Sequence, residues 1–120
     1  MKYMLLIYFD QAWDQLSLTE RQQIYRGQTE LAEQLTTSGQ YLGGHPLHPT
    51  SSATSVRVRD GKRLLTDGPF AETREQLGGF FMIDARNLDE AIGIAARIPV
   101  ARMGTVEIRP VIEIPGLPAG

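Results

Sequence analysis

Residues 2–9 read Lys2-Tyr3-Met4-Leu5-Leu6-Ile7-Tyr8-Phe9, and this octapeptide decides the fold. It is rich in residues that suit a pleated, half-buried surface. Neighbouring side chains of a strand point to opposite faces. Here both sets are apolar: Tyr3, Leu5, Ile7 and Phe9 on one face, Met4, Leu6 and Tyr8 on the other. Such a strand is covered on both sides. The chain's own helices can supply one cover, and the second must be found elsewhere.

Downstream, Ser17-Leu18-Thr19-Glu20 has capping-box spacing and predicts a helix running to about Ser38. Ile24, Leu31 and Leu35 form its apolar stripe, with Tyr25, Gln28 and Ala32 alongside. Gly39 supplies the stop. Gln40 to Leu47 reads as a short strand entering an irregular loop. Thr54 to Arg59 alternates strictly, Asp60-Gly61 is a two-residue hairpin turn, and Lys62 to Thr66 returns as the partner strand. Phe80 to Ala85 is a third long strand. Asn87 caps a second helix to about Ile98, with Leu88, Ala91, Ile92, Ala95 and Ile98 on its stripe. Thr105 to Ile114 is the last strand. Residues 1–114 are expected to form a single domain, and 115–120, rich in Pro and Gly, a flexible tail.

Without the hairpin, the order is that of a split βαβ, ferredoxin-like α+β sheet with two helices on one face. Two helices cover one face only. The other keeps Leu, Ile, Phe and Val, and an apolar face of that size rarely stays wet. The expected cover is a second copy, sheet against sheet, in a homodimer.

The 120 residues carry 12 Lys and Arg against 14 Asp and Glu, for a net charge of -2. That balance argues against nucleic-acid binding driven by phosphate neutralisation. With no cysteine, thiolate nucleophiles, disulfides and cysteine-based metal sites are excluded. No stretch reads as a signal peptide or membrane span, so a cytoplasmic location is expected. No cofactor motif is present: Gly43-Gly44 and Gly78-Gly79 lack the context of a phosphate loop.

The two histidines, His45 and His48, titrate nearest neutral pH. Asp67 follows the hairpin, whose two ends are neighbours, so the His45 loop and the Asp67 turn can meet at one rim of the sheet. A carboxylate orients an imidazole and raises its pKa, which makes Asp67 and His45 the candidate acid–base pair. The competing readings are a turn-bracing aspartate and an ordinary loop histidine. Tyr8, Tyr41 and Phe70 are candidate apolar walls of a ligand cleft, and Arg109 a candidate anchor for an anionic group or an interface ion-pair member. Arg57, Arg59, Lys62 and Arg63 make the hairpin basic, which at a sheet edge mainly blocks stray pairing. Glu72 and Glu75 flank Arg74 in what reads as a solvated loop, and no metal site is assigned.

The run Asp67-Gly68-Pro69-Phe70-Ala71-Glu72-Thr73-Arg74-Glu75, followed by Leu77-Gly78-Gly79-Phe80-Phe81, resembles the DGPF-domain branch of the YCII-related protein family. The resemblance covers nearly the whole chain, from the Lys2–Phe9 strand through Val56 to Lys62, Leu88 to Ala91 and Ala95 to Pro99, to Val106-Glu107-Ile108-Arg109-Pro110-Val111. It implies a ferredoxin-like protomer in a dimeric α+β barrel, bacterial and cytoplasmic, with a cleft holding a His and an Asp as an acid–base pair. Asp67 matches the aspartate of the family's turn. The wider family's histidine lies in the first-helix region, where this chain has none, and His45 substitutes by position in the cleft. Members of this branch are often encoded beside extracytoplasmic-function sigma factors, which implies a regulatory or ligand-sensing alternative.

The expected function is therefore that of a small-molecule-binding homodimer with Asp67 and His45 as acid and base. The alternative is a non-catalytic sensor or partner module in transcription regulation. A haem- or flavin-assisted oxygenase would follow from fold analogy alone.

Overall fold

A computed structural model describes residues 1–118. The chain runs through β1 (Lys2–Phe9), α1 (Leu18–Thr37), β2 (Tyr41–Pro46), β3 (Thr54–Arg59), β4 (Lys62–Asp67), β5 (Gln76–Asp84), α2 (Leu88–Ala96) and β6 (Thr105–Pro110), with three short 3-10 turns between them. Four strands form one antiparallel sheet in the order β2-β5-β1-β6, and β3 and β4 form a separate two-stranded ribbon. This is the ferredoxin-like α+β arrangement with a hairpin inserted between β2 and β5.

The alternation expected for β1 is realised. Tyr3, Leu5 and Ile7 are buried, and Met4, Leu6 and Tyr8 are half-buried. The buried set meets Phe81 and Ile83 of β5, Leu31 and Leu35 of α1, and Ala91, Ile94 and Ala95 of α2 in one core. Complete burial of a side chain such as Leu5 stabilises the fold by about 1.5–3 kcal/mol. Both helix starts are built as their sequences imply. Ser17 and Glu20 form the reciprocal capping box, and the Asn87 side chain accepts from the Glu90 amide.

Several boundaries differ from the sequence reading. β5 begins at Gln76, not Phe80, because pairing with β1 continues past Ile7 through an irregularity to Tyr8↔Leu77 and Phe9↔Gln76. β6 ends at Pro110, with one further backbone bond from the Val111 amide to the Lys2 carbonyl at 2.9 Å. α2 buries Ala91, Ile94 and Ala95, whereas Leu88 and Ile92 are about half exposed. A nine-residue helix presents only a narrow stripe, and its register here favours Ile94 over Ile92. The loose tail expected over 115–120 falls partly on residues 119 and 120, which lie outside the described residues. Through residue 117 the segment is exposed, with a turn bond from the Leu117 amide to the Ile114 carbonyl.

The ribbon stands out from the body. Val56, Val58, Leu64 and Leu65 are each 48–69% exposed. The radius of gyration is 16.1 Å, against about 13.6 Å expected for a compact 120-residue chain. An isolated two-stranded hairpin is marginally stable in water, so this ribbon requires a surface to lean on.

Candidate functional site

Strand register decides which polar groups share a surface. Leu6 lies opposite Phe80 on one side and Glu107 on the other, and Phe80 in turn lies opposite His45. One row across all four strands thus reads His45, Phe80, Leu6, Glu107. The next row reads Gly43, Met82, Met4, Arg109. Tyr8 joins the same side opposite Thr105. This is the sheet face that neither helix covers. Its floor is apolar, and it carries an imidazole at the β2 edge and a phenol, a carboxylate and a guanidinium toward the β6 edge.

The β6 end is wired together. The Tyr8 hydroxyl donates to Glu107 Oε1 at 3.2 Å, and Arg109 Nε donates to Glu107 Oε2 at 2.8 Å. The Arg109 hydrogen bond, together with that guanidinium's charge and the Tyr8 hydroxyl, holds the Glu107 carboxyl below the usual carboxylate range. Partial burial, reinforced by the Glu107 charge and hydrogen bond, pushes the Tyr8 phenol up. Both shifts keep Tyr8 neutral and donating and Glu107 charged and accepting at neutral pH. At the other end, the His45 ring meets Phe80 edge-on, with ring centres 6.1 Å apart.

A depressed carboxyl pKa stabilises the fold above the group's unfolded value, and that stability is lost as the pH falls through the lower folded value. Glu107→Gln should therefore make the acid limb of stability shallower below pH 4.5, the ordinary value for this group. Glu20 and Glu90 are lowered too, by their own hydrogen bonds, so part of the limb should remain. Urea titrations of both proteins across pH 3 to 6 (a range of about 3 units around the carboxylate pKa) would expose an unchanged slope if Glu107 were uncoupled.

Asp67 sits at the base of the ribbon, opposite Thr54. Cross-strand pairs put it on the ribbon face that also carries Val56, Val58 and Leu65. The turn after it is held by other groups. The Gly68 amide donates to the Ala53 carbonyl at 2.7 Å, and the Ser55 hydroxyl donates to the Gly68 carbonyl at 2.9 Å. Gly68 has φ +94, a left-handed conformation that favours glycine. The Asp67 carboxylate enters no hydrogen bond among the described residues. Phe70 is 78% exposed.

The candidate residues therefore fall into three places. His45, Tyr8 and Arg109 share the open sheet face. Asp67 and Phe70 belong to the ribbon and its turn. Tyr41, opposite the buried Ile83, belongs to the helix side. Asp67 and His45 lie in different sheets, and no hydrogen bond or ion pair joins them. Between β2 and β3 the chain follows the start of β5, with the Leu47 amide on the Gly78 carbonyl and the Thr50 hydroxyl on the Gln76 side chain. The sequence reading overlooked Glu107 as the group that joins Tyr8 to Arg109. Its signal was there: Glu107 and Arg109 are two apart, so they share a face.

On the other side of the sheet, a cleft of ≈ 210 Å³ lies between α1 and the β2–β5 rim. Ile7, Phe9, Phe81, Tyr41 and Ala32 line it, and Gln28 projects from α1. A second hollow of ≈ 310 Å³ adjoins it around Trp13. There Phe9 lies tilted over Trp13, Tyr25 meets Trp13 edge-on, and the Arg21 guanidinium lies 5.6 Å from the Trp13 ring centre. Among the described residues, no group of three or more His, Asp or Glu converges in metal-ligating geometry, and no helix is long and apolar enough to cross a membrane.

An uncharacterized protein of Rhizobium meliloti (strain 1021) is 35% identical over 116 residues, which span 92% of this chain and 91% of the relative. The YCII-related domain matches residues 1–115. With the match running from the first strand past the last, the chain belongs to the YCII-related family.

Proposed function

We propose that the protein is a cytoplasmic homodimer of the DGPF branch that stacks its open sheet faces and binds a small molecule at the boundary between the subunits. The observation that carries this reading is the shared face: His45, Tyr8, Glu107 and Arg109 surround an apolar floor of Leu6, Phe80 and Met82. Apolar surface next to fixed polar groups is the composition of a ligand chamber. Sheet-on-sheet stacking removes that surface from water, and the apolar side of the projecting ribbon has the same need. Asp67 lies on that side of the ribbon, so the boundary is where we assign the acid–base pair Asp67 and His45. Arg109, with an outer edge free of Glu107, is the anchor for an anionic group. Phe70 is assigned as a further apolar wall, whereas Tyr41 faces the helix side and lies outside this chamber.

The test is Asp67→Asn. Its carboxylate has no partner to lose, so the thermal midpoint should stay within about 0.5 kcal/mol of the parent's stability. Affinity for a ligand co-purified from the host, or its turnover, should fall by at least about 100-fold, the size of a general acid–base contribution. Unfolding by this change would make Asp67 a structural residue and end the assignment.

A second reading has an observation of its own. Arg57, Arg59 and Lys62 share one face of the ribbon, with Arg63 on the other, and none has an ion-pair partner among the described residues. That surface suits an acidic protein partner, as a sensor or contact module in regulation by an extracytoplasmic-function sigma factor would need. Capture of such a partner, undisturbed by changes at His45 and Asp67, would favour this reading over the first.

A further inference from the structure

We propose that the β3–β4 ribbon is an arm that packs on a second copy of this chain, with its apolar face against the partner and its cationic tip at the acidic end of the partner's sheet. This rests on the pairing of copies proposed above and gives the ribbon a part in it. Cross-strand register puts Val56, Val58 and Leu65 on one face, with Arg63 beside them. In the single protomer these three apolar side chains are 60%, 59% and 69% exposed. β3 and β4 pack extensively only on each other, and a hairpin on its own is marginal in water. The protomer is a slab of 47 × 45 × 19 Å, one sheet and one layer of helices thick, and it holds no further layer to receive the arm.

Charge identifies the cover as a second copy. The ribbon, residues 54–67, carries four cations against two acids, whereas the rest of the chain carries eight against twelve. Arg59 and Lys62 flank the Asp60-Gly61 turn at the tip, where long side chains reach to either side. Phe9 pairs with Gln76, so Asp10 and Asp14 after β1 and Glu72 and Glu75 before β5 gather at one end of the sheet, with Arg21 and Arg74 among them. None of these four carboxylates enters an ion pair among the described residues, and neither do Arg59, Lys62 and Arg63. The ribbon leaves from this same end, past the Leu47 bond to Gly78 and the Thr50 bond to Gln76, yet does not turn back onto its own rim. A two-fold axis brings each arm to the other copy's rim, so the complementary contact is made twice.

Lys62 makes the arm testable, since Lys2 is the only other lysine. A carbodiimide joins an amine directly to a carboxylate in contact with it. Applied to isotopically light and heavy chains refolded together, it should join Lys62 to Asp10, Asp14, Glu72 or Glu75, with light–heavy links in the random proportion by mass spectrometry. Lys62 links confined to one chain, links to other carboxylates only, or no Lys62 link at all would each overturn the arm. Val56→Thr combined with Leu65→Thr keeps the strand preference and should weaken association by at least about tenfold in sedimentation, because apolar burial is lost on both arms. An unchanged dissociation constant overturns the apolar contact. A protein that is dimeric in light scattering without the Lys62 link refutes the arm alone. A monomer refutes the pairing of copies as well, and leaves the ribbon to an acidic partner of another kind.

Discussion

Met82→Glu should turn the proposed open-face dimer into a monomer, read as a halved mass in light scattering at micromolar concentration with the far-ultraviolet circular dichroism retained. Met82 occupies the open face on the inner strand β5, opposite Met4 and Gly43. Neither cross-strand neighbour is charged, so a carboxylate there disturbs little within one protomer. It would be solvated in a monomer and buried in a sheet-to-sheet pair. Removing a charge from water without a partner costs several kcal/mol. About 4 kcal/mol corresponds to roughly a thousandfold weaker association, and two-fold symmetry introduces the charge twice. A parent protein that is already monomeric under the same conditions would remove the basis for the chamber at the subunit boundary. A variant that stays dimeric would move the interface to another surface, and the exposed ribbon bearing Val56, Val58 and Leu65 would be the first to examine.

Gly44→Ala is expected to destabilise the fold by crowding the β2–β5 ladder. A Cβ at this position would stand 2.6 Å from the Phe80 carbonyl oxygen, 3.0 Å from the Phe81 ring and 3.1 Å from the Tyr41 hydroxyl. A flexible side chain could move aside, but the Phe80 carbonyl is part of the β2–β5 ladder. The edge strand must shift away from its neighbour, at a cost of about 1–3 kcal/mol. The urea midpoint should fall accordingly, with little change in slope. His45 on the open face depends on the position of β2, so any binding at the proposed subunit boundary should weaken with it. An unchanged midpoint would mean that β2 is loose enough to absorb the methyl group, and the geometry around His45 and Tyr41 would lose its significance.

These two predictions differ in how far they could be read from the sequence. The doubly apolar pattern of Lys2–Phe9 already demanded covers on both faces, and α1 and α2 account for one of them. The Gly44 effect could not be foreseen in the same way. Gly43-Gly44 marks a close backbone approach, yet what approaches is set by the pairing of Gly44 with Phe81 after an irregularity in β2. The candidate site divides along the same line. Asp67 was identified by its place after the hairpin, and Arg109 by its place among alternating apolar residues. Their surroundings depend on contacts across 99 residues, as between Tyr8 and Glu107, and no local pattern encodes such a contact.

Local physics was sufficient for the parts of this protein that act within a few residues. The Ser17–Glu20 capping box, the Asn87 cap, the Asp60-Gly61 turn and the alternation of β1 each specify a conformation through neighbouring backbone and side chains, and each appears in the structure where the sequence places it. Tertiary structure alone decided the extension of β5 to Gln76, the choice of Ile94 over Ile92 as the buried residue of α2, and the assignment of His45 and Asp67 to separate sheets. Register and packing fix these, because each depends on which distant strand supplies the opposing surface. A shift of one residue would send every side chain of a strand to the other face, so the surface shared by His45, Tyr8, Glu107 and Arg109 exists only once four strands have found one another.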